Sequence, residues 1–312
     1  MLDTYDKERL ATAGTDDLSD SLERGSIVYF PESPVPLPAD EDLRFIREDL
    51  PGLLKLKNIS YHPEAGKIRG LDTEDAEISE RIEKILVRVS NDIAGFLDQR
   101  APRLTKNWTI GTCSIRPIEE KGRNLSAHAS NELVHFDAGA YGATNGDRIL
   151  RFFINVNPRI DRVWATKGNF QDVFAIHGHK AGLDFDKAKP GYLTKSSVDH
   201  ARTGIINMIS GMGLPMARVL DSSPYDREMR KFHNYMKDTP AFQEDMRGHQ
   251  EFRFPPYSAW MVFTDSVSHA CLSGQYCFVN TSIVRQENLR QPELAPINIL
   301  REAAGQQPQS DQ

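Results

Sequence analysis

The segment 148–157 reads RILRFFINVN, and its alternation decides the predicted fold class. Successive side chains of a strand point to opposite faces of the sheet. One face of this segment is wholly apolar and suits packing against a helix. The other carries a guanidinium and amides, which need polar partners when buried, so it predicts the wall of an internal cavity. The apolar face comprises Leu150, Phe152, Ile154 and Val156, and the polar face Ile149, Arg151, Phe153, Asn155 and Asn157.

Neighbouring segments repeat this period of two. Residues 108–118, 259–264 and 276–284 predict further strands. An interior lined by Arg, Asn, Ser and Thr is a poor apolar core, but it suits an anionic ligand. The polar side chains that share a side are Thr112, Ser114 and Arg116 in the first of these strands, and Asn280 and Ser282 in the last.

Helices are predicted before and between the strands. In residues 73–100 the apolar positions recur at i, i+3/i+4 and i+7, which predicts a long helix with one buried face that ends at Pro102. Asp72 or Thr73 is its predicted N-cap, and a second helical region follows at 224–246. This order predicts an α+β protein with a mainly β core, namely a double-stranded β-helix (jelly-roll or cupin-like) barrel buttressed by N-terminal helices and a helical insert.

The chain is predicted to form a single domain between two loosely ordered ends. The first 25 residues are acidic and polar, and the last seven have the composition of a disordered tail. The predicted parts are a loose segment at 1–25, a domain at 26–305 with a helical part at 40–105, a barrel at 106–290 with its insert at 224–247, and a tail at 306–312.

Composition narrows the class of protein. The net charge of −6 over 312 residues argues against nucleic-acid binding, in which affinity comes from neutralising phosphates. We see neither a signal-peptide pattern nor a window approaching the roughly 18 apolar residues of a membrane span, so we expect a cytoplasmic protein. Cys113, Cys271 and Cys277 lack zinc-site spacing and are predicted to be buried thiols, although a pair between the last two stays open.

The triplet HFD at 135–137 is the main chemical signal. Residues i and i+2 of a strand share a face, so its imidazole and carboxylate can converge on one metal ion. A distant histidine would complete a facial triad that leaves positions free for a ligand and dioxygen. His269, at a strand turn far downstream, is the predicted third ligand. The triplets at 62–64 and 249–251 have the same spacing but lack this context.

The other histidines give weaker signals. His177 and His179 form a rival metal pair, but no carboxylate stands at helical or strand spacing from them, and a polar loop is the alternative interpretation. His128, His200 and His233 are predicted to be surface residues or to lie behind a metal site.

Segments spread along the chain carry a family resemblance. They are 107–117, HFDA at 135–138, RILRFFINVNP at 148–158, SPYD at 223–226, FPP at 254–256, WMVFTD at 260–265, HACLSGQY at 269–276 and LREAAG at 300–305. Together they resemble the Kdo 3-hydroxylases, which are Fe(II)- and 2-oxoglutarate-dependent dioxygenases. The resemblance runs from about residue 40 to residue 305.

The resemblance implies a reaction, a metal and a place in the cell. It implies that Fe(II) is held by His135, Asp137 and His269 as the catalytic centre, on a double-stranded β-helix. It further implies that 2-oxoglutarate and O2 are used to hydroxylate C3 of the Kdo sugar of Kdo-lipid A, giving Ko, succinate and CO2. The expected partner is this lipopolysaccharide precursor, reached by transient peripheral contact with the inner membrane of a Gram-negative bacterium.

The cation that holds the distal carboxylate of 2-oxoglutarate is less evident. Many superfamily members carry it soon after the last histidine, yet residues 273–279 contain none. Another branch carries it on the strand after the His-x-Asp motif, which selects Arg151; a structural ion pair is the alternative role for it. The predicted cosubstrate-binding residues are Arg151 with Arg116, the amides Asn155 and Asn280, and Arg285 as the fallback.

Substrate contacts are the least determined part. A Lys-bearing loop predicts phosphate or carboxylate contacts through Lys189, Lys195 and Arg202, with a solvated charged loop as the alternative. Trp164 is predicted to pack near the cofactor or to be a core residue. Two other functions stay open: the same chemistry on another small molecule or lipid, and a non-oxidative cupin-like protein that binds metal or sugar.

Overall fold

Eleven strands and ten α-helices alternate along the described part of the chain. The structure is a computed structural model, and it describes residues 1–139, 143–183, 185, 192–193, 196–211 and 221–305. The strands are β1 (Leu2–Thr4), β2 (Ile27–Phe30), β3 (Ile59–His62), β4 (Lys67–Arg69), β5 (Thr109–Arg116), β6 (Arg148–Asn155), β7 (Arg162–Thr166), β8 (Gln250–Phe254), β9 (Ala259–Phe263), β10 (Ala270–Ser273) and β11 (Cys277–Val284). The helices are α1 (Lys7–Thr12), α2 (Asp17–Glu23), α3 (Asp40–Glu48), α4 (Ala76–Arg100), α5 (Pro102–Thr105), α6 (Phe170–His177), α7 (Ser197–Gly211), α8 (Pro224–Asp238), α9 (Pro240–Glu244) and α10 (Pro296–Ala303).

The strands form one large and one small sheet. The large sheet has the order β1-β2-β9-β6-β11-β5-β3-β4, and it is antiparallel except for the pair β1–β2. The small sheet has the order β10-β7-β8 and is antiparallel. The predicted mixed fold with a mainly β core is confirmed at this level. The segment 148–157 supplies β6, which pairs with β9 on one side and β11 on the other.

The long helix α4 covers the apolar face of the large sheet. The side chain of Asp75 caps it by accepting from the backbone N–H groups of Glu77 (2.9 Å) and Ile78 (3.3 Å), two or three residues beyond the predicted cap. Its apolar stripe joins Phe152 and Ile154 of β6 in one core cluster. Each fully buried side chain of this size contributes about 1.5–3 kcal/mol. The stripe consists of Ile82, Ile85, Leu86, Val89, Ile93 and Leu97.

The expectation that residues 1–25 are loosely ordered is wrong. Strand β1 pairs in parallel with β2, and Leu18 and Leu22 of α2 are fully buried. The acidic composition is misleading here because the carboxylates have partners: Arg103 forms ion pairs with Asp16, Asp20 and Glu23. The predicted tail at 306–312 lies outside the described residues.

Helices α8 and α9 occupy the predicted insert at 224–247. A capping box fixes the start of α8: Ser223 Oγ accepts from Asp226 N (3.1 Å), and Ser223 N donates to Asp226 Oδ2 (3.0 Å). Asp226 Oδ1 also accepts from the backbone N and the hydroxyl of Thr144, both at 2.8 Å. These bonds tie α8 to the chain that enters β6, and so orient the helix over the HFD segment.

A buried ion pair closes the sheet beside that segment. Arg148 Nε donates to Asp265 Oδ2 (2.7 Å), Asp265 Oδ1 accepts from Ile149 N (3.1 Å), and both charged side chains are at most 2% exposed. Asp265→Asn is expected to lower the free energy of unfolding by about 3–5 kcal/mol, since it leaves a buried guanidinium without its counter-charge. Chemical denaturation followed by circular dichroism measures the change.

A half-exposed pair provides the control for this prediction. Asp42 pairs with Arg81 at 2.8 Å near the surface, and Asp42→Asn is expected to cost only about 0.2–1 kcal/mol. Equal losses in the two variants would contradict the role of the buried pair.

Candidate metal centre

Two segments far apart in sequence meet at His135 and His269. Each residue donates its backbone N–H to the carbonyl of the other, at 3.1 Å and 2.9 Å, as an isolated antiparallel bridge. The two imidazole centroids lie 4.7 Å apart. Asp137 is held beside them because its backbone N–H donates to Thr264 O (2.9 Å) at the end of β9. The backbone alone therefore brings the three predicted ligands together.

Their donor atoms converge on one point. One ligand atom from each of His135, Asp137 and His269 lies within 4.8 Å of the others, and among the described residues this is the one group of three metal-ligating side chains that does so. His135 Nδ1 donates to Leu133 O (2.7 Å), and His269 Nδ1 donates to Val267 O (3.1 Å). With Nδ1 protonated, both Nε2 lone pairs remain free for a metal.

The electrostatics of the three side chains also suit a cation. Burial lowers the pKa of His135 well below its usual value and that of His269 to about 4, so both rings are neutral at pH 7. Burial by itself would raise the pKa of Asp137, but the positive charge of Arg151 outweighs it and keeps the carboxylate ionised. Asp137 Oδ2 is buried without a hydrogen-bond partner among the described residues. Two neutral imidazoles and one carboxylate fit a divalent ion such as Fe(II).

Aromatic rings hold the two imidazoles in place. Trp164 stacks on His269 with centroids 5.2 Å apart and an angle of 22°. His233 of α8 packs edge-on against His135 at 5.1 Å, and its Nδ1 donates to Phe136 O (2.6 Å). Trp164 is thus both a core residue and a contact of a ligand, and His233 contacts a ligand and also lines the cavity.

A cavity of about 390 Å³ opens beside the three ligands. Strand register aligns three of its wall residues, since Arg151 pairs with Thr281 and Thr281 with Thr112. Arg151 Nη2 lies 3.0 Å from Asp137 Oδ2, while its Nε has no hydrogen-bond partner among the described residues. Arg116 Nη1 lies 3.5 Å from Glu120 Oε1 on the same wall. The cavity therefore has a cationic wall adjoining the metal site.

Three of the predicted cosubstrate residues lie elsewhere. The side-chain amide of Asn155 is occupied by backbone carbonyls, because its Nδ2 donates to Ile160 O (3.1 Å) and Phe254 O (2.9 Å). Asn280 faces α4, where its Nδ2 donates to Ser90 Oγ (3.2 Å). Arg285 binds Asp147 (2.9 Å) outside the cavity. These three predictions are wrong, whereas Arg116 and Arg151 line the cavity as predicted.

The predicted substrate loop is not part of the described site. Lys189 and Lys195 lie outside the described residues, and so does the side chain of Arg202, whose backbone belongs to α7. The cavity instead receives cations from Lys57, just before β3, and from Lys237 in α8. Lys237 follows His233 by four residues on the buried face of α8, so a charged residue on an apolar helical stripe was the signal that sequence reasoning missed.

The remaining sequence signals play structural parts. His177 Nε2 lies 3.4 Å from Asp245 rather than in a three-ligand group of the described chain. All three cysteines are buried free thiols, so Cys271 and Cys277 do not pair. The described helices include none long and apolar enough to cross a membrane.

A family model provides the deciding comparison. The model for 3-deoxy-D-manno-oct-2-ulosonic acid (Kdo) hydroxylase matches residues 6–307. The chain belongs to the Kdo hydroxylase family. Membership confirms the predicted family and the enzyme class, a metal-dependent dioxygenase. A comparison with curated proteins finds no match for this member of the family.

Solved structures of another Kdo hydroxylase share the fold. The Kdo hydroxylase KdoO, described as a non-heme Fe(II) alphaketoglutarate dependent dioxygenase, has been solved with alphaketoglutarate and Fe(III), and that structure matches at 27% identity and a TM-score of 0.78 over 98% of this chain and 96% of its own. The complex with succinate and Fe(III) matches at 26% identity and 0.77, and the cobalt(II) complex at 27% and 0.79, each over 100% of this chain and 98% of its own.

Proposed function

We propose that this protein hydroxylates C3 of the Kdo sugar of Kdo-lipid A to give Ko, consuming 2-oxoglutarate and O2 and releasing succinate and CO2. The observation that carries the proposal is the group His135, Asp137 and His269 beside a cavity with an arginine-lined wall. We further propose that the two sheets are the halves of a double-stranded β-helix. The bridge between His135 and His269, at the point where β9 leads into β10, supports that architecture.

The three ligand side chains would hold Fe(II), which when bound supplies the activation of O2 for hydroxylation. The protein prepares them for that role. The hydrogen bonds to Leu133 O and Val267 O fix the tautomers and orientations of His135 and His269. Trp164 and His233 restrict the rotation of the two rings, and Asp137 supplies the negative charge that a divalent cation needs.

The distal carboxylate of 2-oxoglutarate would bind at Arg151, with Arg116 beside it. A guanidinium binds a carboxylate through two parallel hydrogen bonds, and the unpartnered Nε of Arg151 is a donor available for one of them. The hydroxyl of Thr281 lines the same wall and can donate to the second carboxylate oxygen. The arginine's ion pair with Asp137 keeps its head near the metal site.

A lipid-borne sugar must be reached at a membrane surface, and we include peripheral contact with the inner membrane in the proposal. The segment Lys55-Leu56-Lys57 supports it. Lys57 lines the cavity, and the adjoining Leu56 is 57% exposed. An exposed leucine beside the exposed Lys55 suits an anionic lipid surface, because the leucine side chain can insert while the Lys55 ammonium group binds a phosphate.

Leu56→Ser is expected to lower kcat/KM on Kdo-lipid A in anionic vesicles by about tenfold, through loss of the inserted apolar area. Activity on a soluble Kdo glycoside is expected to stay unchanged. Ile160→Ser is the matched control, because Ile160 is 51% exposed and lies outside the cavity lining. An equal loss on the soluble glycoside would assign Leu56 to the cavity instead of the membrane.

The proposed function is tested by following lipid and cosubstrate together. The protein is mixed anaerobically with ferrous iron and 2-oxoglutarate, Kdo-lipid A is added, and air is admitted. Mass spectrometry is expected to find one added oxygen on the sugar and one succinate formed for each hydroxylation. Succinate without lipid oxidation would point to another substrate, and neither product with iron bound would point to a non-oxidative binding protein.

A further inference from the structure

Lys237 is a buried cation that the chemistry described so far does not use. It lies in the last turn of α8, is 6% exposed and lines the cavity. Its Nζ donates to His128 O (3.2 Å) and Ser130 O (2.8 Å). An ammonium group has three N–H donors, so one is left. Among the described residues Lys237 has no ion pair with a carboxylate, which leaves a buried positive charge facing the cavity without a counter-ion.

A second lysine converges on the same place. Lys57 Nζ donates to Ala129 O (3.3 Å), so the turn at 127–130 binds two ammonium groups from remote parts of the chain. The pKa of Lys237 is lowered to about 8, mainly by burial; the positive charge of Lys57 acts in the same direction, while Asp137 and Asp238 oppose it. Two like charges at one turn repel each other, and a bound anion would relieve that repulsion.

The number of cations exceeds what one cosubstrate needs. The strand wall already carries Arg116 and Arg151, which are sufficient for one carboxylate. Lys57 and Lys237 come from different elements, the chain before β3 and helix α8. The proposed reaction brings together two carboxylates that lie away from the metal ligands and need a cation of the cavity wall, namely the distal carboxylate of 2-oxoglutarate and the carboxylate of the sugar. The cavity thus has two cationic sites for two anionic molecules.

On the basis of the proposed function, we infer that Lys237, assisted by Lys57, binds the carboxylate of the Kdo sugar. This contact would determine which carbon of the sugar faces the metal. In a 3-deoxy-2-ulosonic acid the carboxylate is C1, and the C3 methylene is two bonds from it. A cation that fixes C1 therefore fixes C3. Lys237 lines the same cavity as His135, Asp137 and His269, as this positioning role requires.

The experiment compares the acid with its neutral counterpart. Kdo-lipid A and its C1 primary amide, which is nearly isosteric, are offered to the wild type, Lys237→Met and Lys237→Arg. The wild type is expected to prefer the acid by about 30-fold or more in kcat/KM, as for a buried charge pair. Lys237→Met is expected to reduce this preference to nearly one, and Lys237→Arg to retain most of it. The KM for 2-oxoglutarate is expected to stay unchanged in both.

A matched control lies on the same helix. Lys231 also donates to a backbone carbonyl, that of Gly182, but is outside the cavity lining. Lys231→Met is expected to keep the wild-type preference for the acid. Thermal unfolding checks that each variant is folded, and the wild-type acid-to-amide ratio tests the inference even if Lys237→Met does not fold.

Each other outcome overturns the inference in a distinguishable way. Equal rates on acid and amide in the wild type would mean that no cation binds the carboxylate of the sugar. An equal loss of kcat/KM on acid and amide in Lys237→Met would show that Lys237 binds a lipid phosphate or stabilises the turn at 127–130 instead. A wild type that oxidises neither compound would instead contradict the proposed function.

Discussion

Replacing Asp137 with alanine is expected to abolish hydroxylation and to weaken metal binding by more than the 10–100-fold cost of losing a residue that supports a ligand. Two effects combine. One of three ligands is lost, and Arg151, 3.0 Å from the carboxylate, keeps its positive charge without a partner beside the remaining histidines. That charge repels a divalent cation. Anaerobic titration with Co(II), followed by its visible absorption, measures the affinity directly.

A second histidine–carboxylate pair controls for this experiment. Asp245 lies 3.4 Å from His177 but outside the cavity, and Asp245→Ala is expected to leave Co(II) binding unchanged. The same variant tests the rival site at His177 and His179. Loss of one Co(II) equivalent in Asp245→Ala but not in Asp137→Ala would transfer the metal to that rival site.

Arg151→Met is expected to raise the KM for 2-oxoglutarate by about 30-fold or more, since truncating one partner of a buried charge pair costs about 2–5 kcal/mol. Metal binding is expected to persist, because the substitution removes a positive charge from beside Asp137 and leaves all three ligands. This separation of cosubstrate affinity from metal affinity identifies a carboxylate-binding residue. Isothermal titration of the Co(II)-loaded protein with 2-oxoglutarate gives the affinity without turnover.

Arg285 supplies the comparison for that variant. It is the other arginine that sequence position suggested, and it pairs with Asp147 outside the cavity. Arg285→Met is expected to leave 2-oxoglutarate binding unchanged. If Arg285→Met weakened binding and Arg151→Met did not, the cosubstrate site would lie at the other end of β11, and Arg151 would be only an ion-pair partner of Asp137.

Strand alternation predicted the catalytic wall where the strand is regular. In β5 and β6 the period of two correctly assigned Arg116 and Arg151 to one cavity. The same rule failed at Asn155, the last residue of β6, where the chain turns and the amide satisfies carbonyls of the turn. Alternation predicts the face of a side chain, whereas its hydrogen-bond partners depend on the groups that surround it.

At Asn280 the polarity of the side chain led to a wrong prediction of the face on which it lies. Its amide suggested an inward position, yet Thr281 is the residue of β11 that lines the cavity. Asn280 instead bonds to Ser90, a polar residue on the otherwise apolar stripe of α4. Each of the two polar side chains satisfies the other, so neither has to reach a cavity. Such pairing links residues 190 positions apart and leaves no local pattern.

The two lysines that line the cavity were the hardest residues to predict. Lys57 and Lys237 become neighbours only because the turn at 127–130 binds both, and nothing in either local sequence refers to that turn. The metal ligands were easier, because ligation demands particular residue types and the HFD spacing is visible in one strand. The third ligand, His269, was predicted from its position at a strand turn, and the family resemblance implied the same residue. The two lysines of the cavity instead depend on a turn whose contacts follow from the whole fold.

The reciprocal backbone bonds between His135 and His269 also bear on how the protein matures. The two residues close a very long loop, and contacts of such sequence separation carry a large entropic cost and form late in folding. A nascent or partly folded chain therefore holds at most the His135 and Asp137 pair, which binds iron weakly. The complete ligand set exists only after the sheets have assembled, so a folding intermediate that lacks this bridge also lacks the third ligand.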